Sequence, residues 1–182
     1  LEGQLAPESV APRNGHRPSA ELRLHLEVYR QRPDVRAVVH AHPPITTALT
    51  VAGVSLAPCI LPETLVTLGT IVTTAYATPT SAQGPEVIRP YIRDHDALVL
   101  DRHGAVTVGD NVFSAYARME KVENTAEVIL AARQAGGVKT LPLDEVRRLS
   151  AMRDAALGPG RSFTGPDCHL CGACEGLGPT RG

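Results

Sequence analysis

Two histidines one residue apart, His40 and His42, stand in the run "VVHAHPP" at residues 38–44. If the run is a strand, alternate side chains share a face and both imidazoles point the same way, with Cβ atoms roughly 6–7 Å apart. Neutral imidazoles are ligands for zinc and other borderline divalent ions, and a catalytic site commonly uses three protein ligands and leaves a position open for water or substrate. His103, in "ALVLDRHGAVTVG", is the natural third ligand, because it ends a second strand and strand ends at one sheet edge converge on one crevice. Glu21 adds a carboxylate one or two residues into the helix that leads to the first strand. Each feature alone has an ordinary alternative: two half-buried, hydrogen-bonded histidines, and a first-turn glutamate stabilised by the helix dipole. Their combination points to a metal site.

The elements that must position these groups are readable from periodicity and punctuation. "SAELRLHLEVYRQRP" predicts a helix with Ser19 as N-cap, ended by Pro33 and Asp34. "RAVVHA" predicts a buried strand, and "PPITTALTVAG" a short helix with proline in its first turn and Gly53 as terminator. "GTIVTTAYATP" predicts a further strand that carries Tyr76 into the core. "SAQGPEVIRPYIRDHD" predicts a helix kinked or split at Pro90, with His95 as a surface charge partner of its neighbouring aspartates. "ALVLDRHGAVTVG" then gives two strands broken at "RHG", where Gly104 permits a sharp turn. "NVFSAYARMEKVENTAEVILAARQAGG" is the strongest helical pattern, stopped by Gly136 and Gly137, and "LDEVRRLSAMRDAA" gives a last helix. Alternating strands and helices imply an α/β class without fixing strand direction.

The chain has 182 residues, 43% hydrophobic and 20% charged, with a formal net charge of -1. This suits one soluble domain with an adequate core, and gives no electrostatic footprint for nucleic acid or a membrane surface. No apolar stretch reaches the length of a membrane span and no signal-peptide pattern is present, so a cytoplasmic enzyme is the expectation. Of four cysteines, Cys59 lies far from the three in "CHLCGAC", which argues against a disulfide framework. Cys168, Cys171 and Cys174 with His169 form an incomplete zinc or iron–sulfur ligand set in a Gly- and Pro-rich stretch. We therefore divide the chain into a domain at 1–157 and a loosely held tail at 158–182.

The ordered set "PSAELRLHLEVYRQRPDVRAVVHAHPP" with "LDRHGAVTVG" downstream resembles the class II aldolase/adducin N-terminal family, over roughly Pro18 to Ala155. The resemblance implies a three-layer αβα fold with a central, mainly antiparallel or mixed sheet. It further implies zinc or a similar divalent metal held by His40, His42 and His103, and Glu21 as an acid/base that also approaches the metal when no substrate is bound. The implied activity is that of a metal-dependent lyase cleaving a small ketose phosphate of L-fuculose-1-phosphate type to dihydroxyacetone phosphate and an aldehyde. A homotetramer is the implied assembly.

The family pattern is followed with three departures. Its N-terminal phosphate-holding loops have no counterpart in this sequence, so the domain is expected to be N-terminally incomplete, with weak phosphate-ester binding and a sheet short of strands. Paired serines before the glutamate become Ser19 and Ala20, leaving Ser19 as the one substrate-binding candidate there. A tyrosine that the aldolases use falls near Leu61. Rival readings are a sugar-phosphate epimerase or dehydratase on the same fold, and a non-catalytic adducin-like scaffold without metal. His25, four residues after Glu21, could line the same crevice, whereas Glu63 in "LPET" is expected in solvent.

Overall fold

A computed structural model of the chain describes residues 18–157, and the cysteine cluster of the tail lies outside the described residues. Within them the order is α1 (Leu22–Gln31), β1 (Ala37–Ala41), α2 (Pro44–Val51), α3 (Pro62–Thr67), β2 (Val72–Thr74), α4 (Gln83–Ile88), β3 (Ala97–Leu100), β4 (Gly104–Gly109), α5 (Val112–Gln134) and α6 (Leu143–Leu157).

The four strands form one sheet in the order β1-β4-β3-β2. β4 pairs antiparallel with both β1 and β3, and β2 pairs parallel with β3. The sheet is therefore mixed and mainly antiparallel. Alternation along the strands feeds two cores: Ala97, Val99 and Ala105 pack with Leu49 of α2 and Met119, Val122, Ala126 and Ile129 of α5. Leu98, Leu100, Val106 and Val108 pack on the other face with Leu24 and Val28 of α1 and Ile88 of α4. Both faces are covered, which makes β3 and β4 buried throughout and gives the expected three layers. A small satellite cluster of Cys59, Leu65, Val146 and Leu149 joins α3 to α6.

Several local expectations need correction. Helix α1 starts three residues after Ser19, and the Ser19 hydroxyl accepts the Glu21 N–H at 3.2 Å, tightening the turn before the helix rather than capping it. The second strand candidate shrinks to Val72–Thr74, and Tyr76 lies beyond it, 56% exposed, because the chain leaves the sheet before the aromatic residue can be buried. α4 stops at Ile88, ahead of Pro90, which has no backbone N–H to continue the helical ladder, while Arg89 keeps α-region backbone. His95 is buried, its Nδ1 2.9 Å from the Tyr91 carbonyl oxygen. The segment Pro62–Thr67 is helical, with Pro62 at its first position and Glu63 exposed in its first turn.

Candidate metal centre

The register brings the C-terminal ends of β1, β2 and β3 to one end of the sheet, with Ala41 opposite Ala105, Leu100 opposite Gly104, and Thr74 opposite Leu100. His40 lies in β1, His42 one residue past it, and His103 in the turn before β4. Val38 packs on the α1 side of the sheet and Val39 on the other. Strand alternation therefore turns His40 toward α1, where its ring stands 6.5 Å from that of His25.

The three rings close on one another, with centroids 5.0 Å apart for His40 and His42 and 4.9 Å apart for each of the other two pairs. One nitrogen from each lies within 4.8 Å of the others. His40 Nδ1 is 3.0 Å from the Ala105 carbonyl oxygen. A carbonyl only accepts, so Nδ1 carries the proton and Nε2 presents a bare lone pair. That Nε2 is buried with no hydrogen-bond partner. An orphaned acceptor facing two other imidazoles is what a cation site needs, because a backbone bond at the far nitrogen fixes both tautomer and ring direction. Burial pushes His40 below the ordinary histidine pKa, which its bond to Ala105 opposes and its neighbours His103 and His42 reinforce. Burial likewise lowers His103, against the opposing charge of Glu21. Both rings are thereby held neutral, the form that ligates. The three histidines can hold a divalent metal ion.

Glu21 faces the same crevice. It lines the cavity together with His103, Asp101, Leu24, Thr74 and Thr80, and its carboxylate accepts the Thr80 backbone N–H at 3.0 Å. The nitrogen cluster itself consists of the three histidines, with Glu21 held to one side by Thr80. Ser19 is exposed, turned to the Glu21 amide, and is not among the crevice-lining residues. Among the described residues the lining contains two carboxylates, Glu21 and Asp101, and the threonines Thr74, Thr78 and Thr80.

Gly104 serves a purpose other than the expected one. The left-handed residue of the β3–β4 turn is Arg102, at φ 56. Gly104 is needed for close approach: a Cβ there would stand 2.3 Å from the Ala41 carbonyl oxygen and 2.8 Å from Cδ2 of His42. The strained turn is latched to α2 by a bond from the Arg102 N–H to Thr50 Oγ1 at 3.0 Å. A second left-handed residue, Thr80 at φ 64, aims the amide that binds Glu21. Neither strained position carried a sequence signal, since Arg and Thr are not residues that mark left-handed backbone.

Residues 2–130 match the family described as Class II Aldolase and Adducin N-terminal domain. The chain is 32% identical over 143 residues to a 3-oxo-tetronate 4-phosphate decarboxylase of Pectobacterium atrosepticum, covering 75% of this chain and 64% of that protein. It is 34% identical over 112 residues to an L-fuculose phosphate aldolase of Methanococcus vannielii, covering 62% of this chain and 60% of the relative. A solved L-fuculose 1-phosphate aldolase superposes with a TM-score of 0.66 at 26% identity, over 75% of this chain and 65% of that one. The chain thus spans less than two thirds of the length of these relatives, and it belongs to the class II aldolase and adducin N-terminal domain family.

Proposed function

We propose that the protein is a zinc-dependent lyase that breaks a carbon–carbon bond beside the carbonyl of a small sugar phosphate, with an aldol cleavage of L-fuculose-1-phosphate type as the leading reaction. The observation that carries this reading is the three-histidine cluster with its orphaned His40 Nε2, whose member His103 lines a crevice with Glu21. When bound, a divalent ion supplies Lewis-acid stabilisation of negative charge developing on a substrate oxygen. The chain's own residues do the rest. His40, His42 and His103 would hold the ion, with His103 lining the crevice. Glu21, kept from collapsing onto the imidazoles by the Thr80 amide, moves a proton to or from the substrate carbon. Leu24, Val87 and Leu100 wall the crevice and limit water around the reacting carbon.

Aldol cleavage releases an aldehyde and leaves the bonding electron pair on the carbon next to the carbonyl, where a proton from Glu21 completes the ketone product. Decarboxylation of a 3-oxo acid leaves its electron pair on the equivalent carbon, with carbon dioxide as the leaving group. The second reading, a 3-oxo-tetronate 4-phosphate decarboxylase, therefore uses the same groups, and the relative from Pectobacterium atrosepticum favours it. The ligand in either case is a small sugar phosphate, and the proposed assembly is a homotetramer.

The test is product analysis with zinc-loaded protein. L-fuculose 1-phosphate should yield dihydroxyacetone phosphate, whereas carbon dioxide from 3-oxo-tetronate 4-phosphate would select the second reading. Glu21→Gln should retain zinc and lose about 10²–10⁴-fold in turnover. A zinc-loaded native protein that acts on neither substrate would instead favour the epimerase or dehydratase, and a native protein that takes up no metal the non-catalytic scaffold.

A further inference from the structure

The first turn of α2 begins directly after His42, and its capping is unusual. Its N-cap residue is Pro43 and its first helical residue Pro44, so neither can offer a side-chain acceptor to the free N–H groups of the turn. Thr47 N–H reaches the Pro43 carbonyl at 3.0 Å, which leaves the amides of Ile45 and Thr46 as the orphan donors. Both are taken by one carboxylate from the middle of α5, nearly eighty residues away. Glu123 Oε1 accepts from Ile45 N–H at 2.8 Å, and Oε2 accepts from Thr46 N–H at 2.9 Å and from Thr46 Oγ1 at 2.7 Å. A negative charge at this helix end also matches the helix dipole.

Helix α2 is connected to two of the three candidate ligands. Its N-terminal side continues through Pro43 into His42, whose ring is seated against Gly104. Its last turn carries Thr50, whose hydroxyl holds the Arg102 amide and with it the strained turn that presents His103. Thr46 and Thr50 are both buried, so α2 has little freedom to shift while these bonds stand.

We propose that Glu123 is a positioning residue of the metal centre: by seating α2 it sets the separation of His42 and His103, and so the affinity and geometry of the bound ion. This rests on the metal reading above. Glu123→Gln keeps size but turns an NH₂ toward a donor, so the cap is broken on one side.

The test is the zinc dissociation constant, measured by chelator competition at fixed pH on the full chain, together with the visible absorption of the cobalt(II)-substituted protein. Leu149→Ala, in the cluster between α3 and α6, serves as a comparison that loosens the fold away from the site. Glu123→Gln should bind zinc about 10–100-fold more weakly than native protein and shift the cobalt bands, whereas Leu149→Ala should do neither. If Glu123→Gln does not fold, Thr46→Val, which removes one bond of the three, should weaken zinc about 3-fold. Unchanged zinc affinity and cobalt spectrum in the folded variant, or an equal loss in Leu149→Ala, would overturn the positioning role and leave the metal reading standing. A native protein that binds no zinc would overturn both.

Discussion

The two ends of the sheet carry two polar clusters that the same strands hold apart, and they are built on opposite rules. At one end Asp96, just before β3, is buried and bonded to Arg32 at 3.0 Å and to Arg118 at 3.3 Å. Arg32 also grips Asp34 and donates to the carbonyls of Ile92 and His95. Charges there are matched, and the donors meet acceptors within the chain. At the other end, three imidazoles face one another without exchanging a hydrogen bond, one nitrogen is orphaned, and a left-handed non-glycine residue sits in the turn beside them. A buried ion network that satisfies itself holds structure, whereas an orphaned imidazole nitrogen beside two further imidazoles offers a donor set that a cation could complete. The contrast separates stability from function in one small sheet.

The contrast can be broken most forcefully at the satisfied end. Asp96→Ala leaves the buried Arg32 and the half-buried Arg118 without their shared carboxylate and should cost about 3–5 kcal/mol of folding stability, read by denaturant titration. The protein that remains folded should bind zinc as the native chain does. A loss of zinc affinity in that fraction would mean that the two ends are not independent.

Gly104→Ala sharpens the comparison from the other side, with a smaller effect on stability. The added methyl meets the Ala41 carbonyl oxygen and the His42 ring, so about 1–3 kcal/mol of overpacking strain is expected. Here the displaced ring should weaken zinc binding as well, measurable by chelator competition. Unaltered zinc affinity would show that His42 is not a ligand or that its position is soft.

The candidate ligands were legible because strand alternation and the ends of strands are local properties of sequence. "HAH" fixes a shared face, and "RHG" between two β-rich runs fixes a turn at the same edge. Glu21 was legible from its place at the start of the helix that leads into the histidine strand, and its acid/base role only through the family likeness, since a first-turn glutamate has an ordinary use. The groups that place these residues were not legible. Glu123 reads as one more polar position in a long helix until α5 is folded against α2, and Asp96 and Arg118 read as surface charge until β3 and α5 bring them together. Pro62–Thr67 was missed because a six-residue helix is too short to show a period. Tyr76 was misplaced because β-propensity continues past the point where β2 loses its neighbour.

The most direct test of the account is metal content. Elemental analysis of protein purified without chelator should find one zinc or similar divalent ion per chain in the native protein, and none in the double variant His40→Ala with His42→Ala, which should remain folded. No bound metal in the native chain, or the same content in the double variant, would contradict the central claim and leave His40, His42 and His103 as packed histidines at a sheet edge.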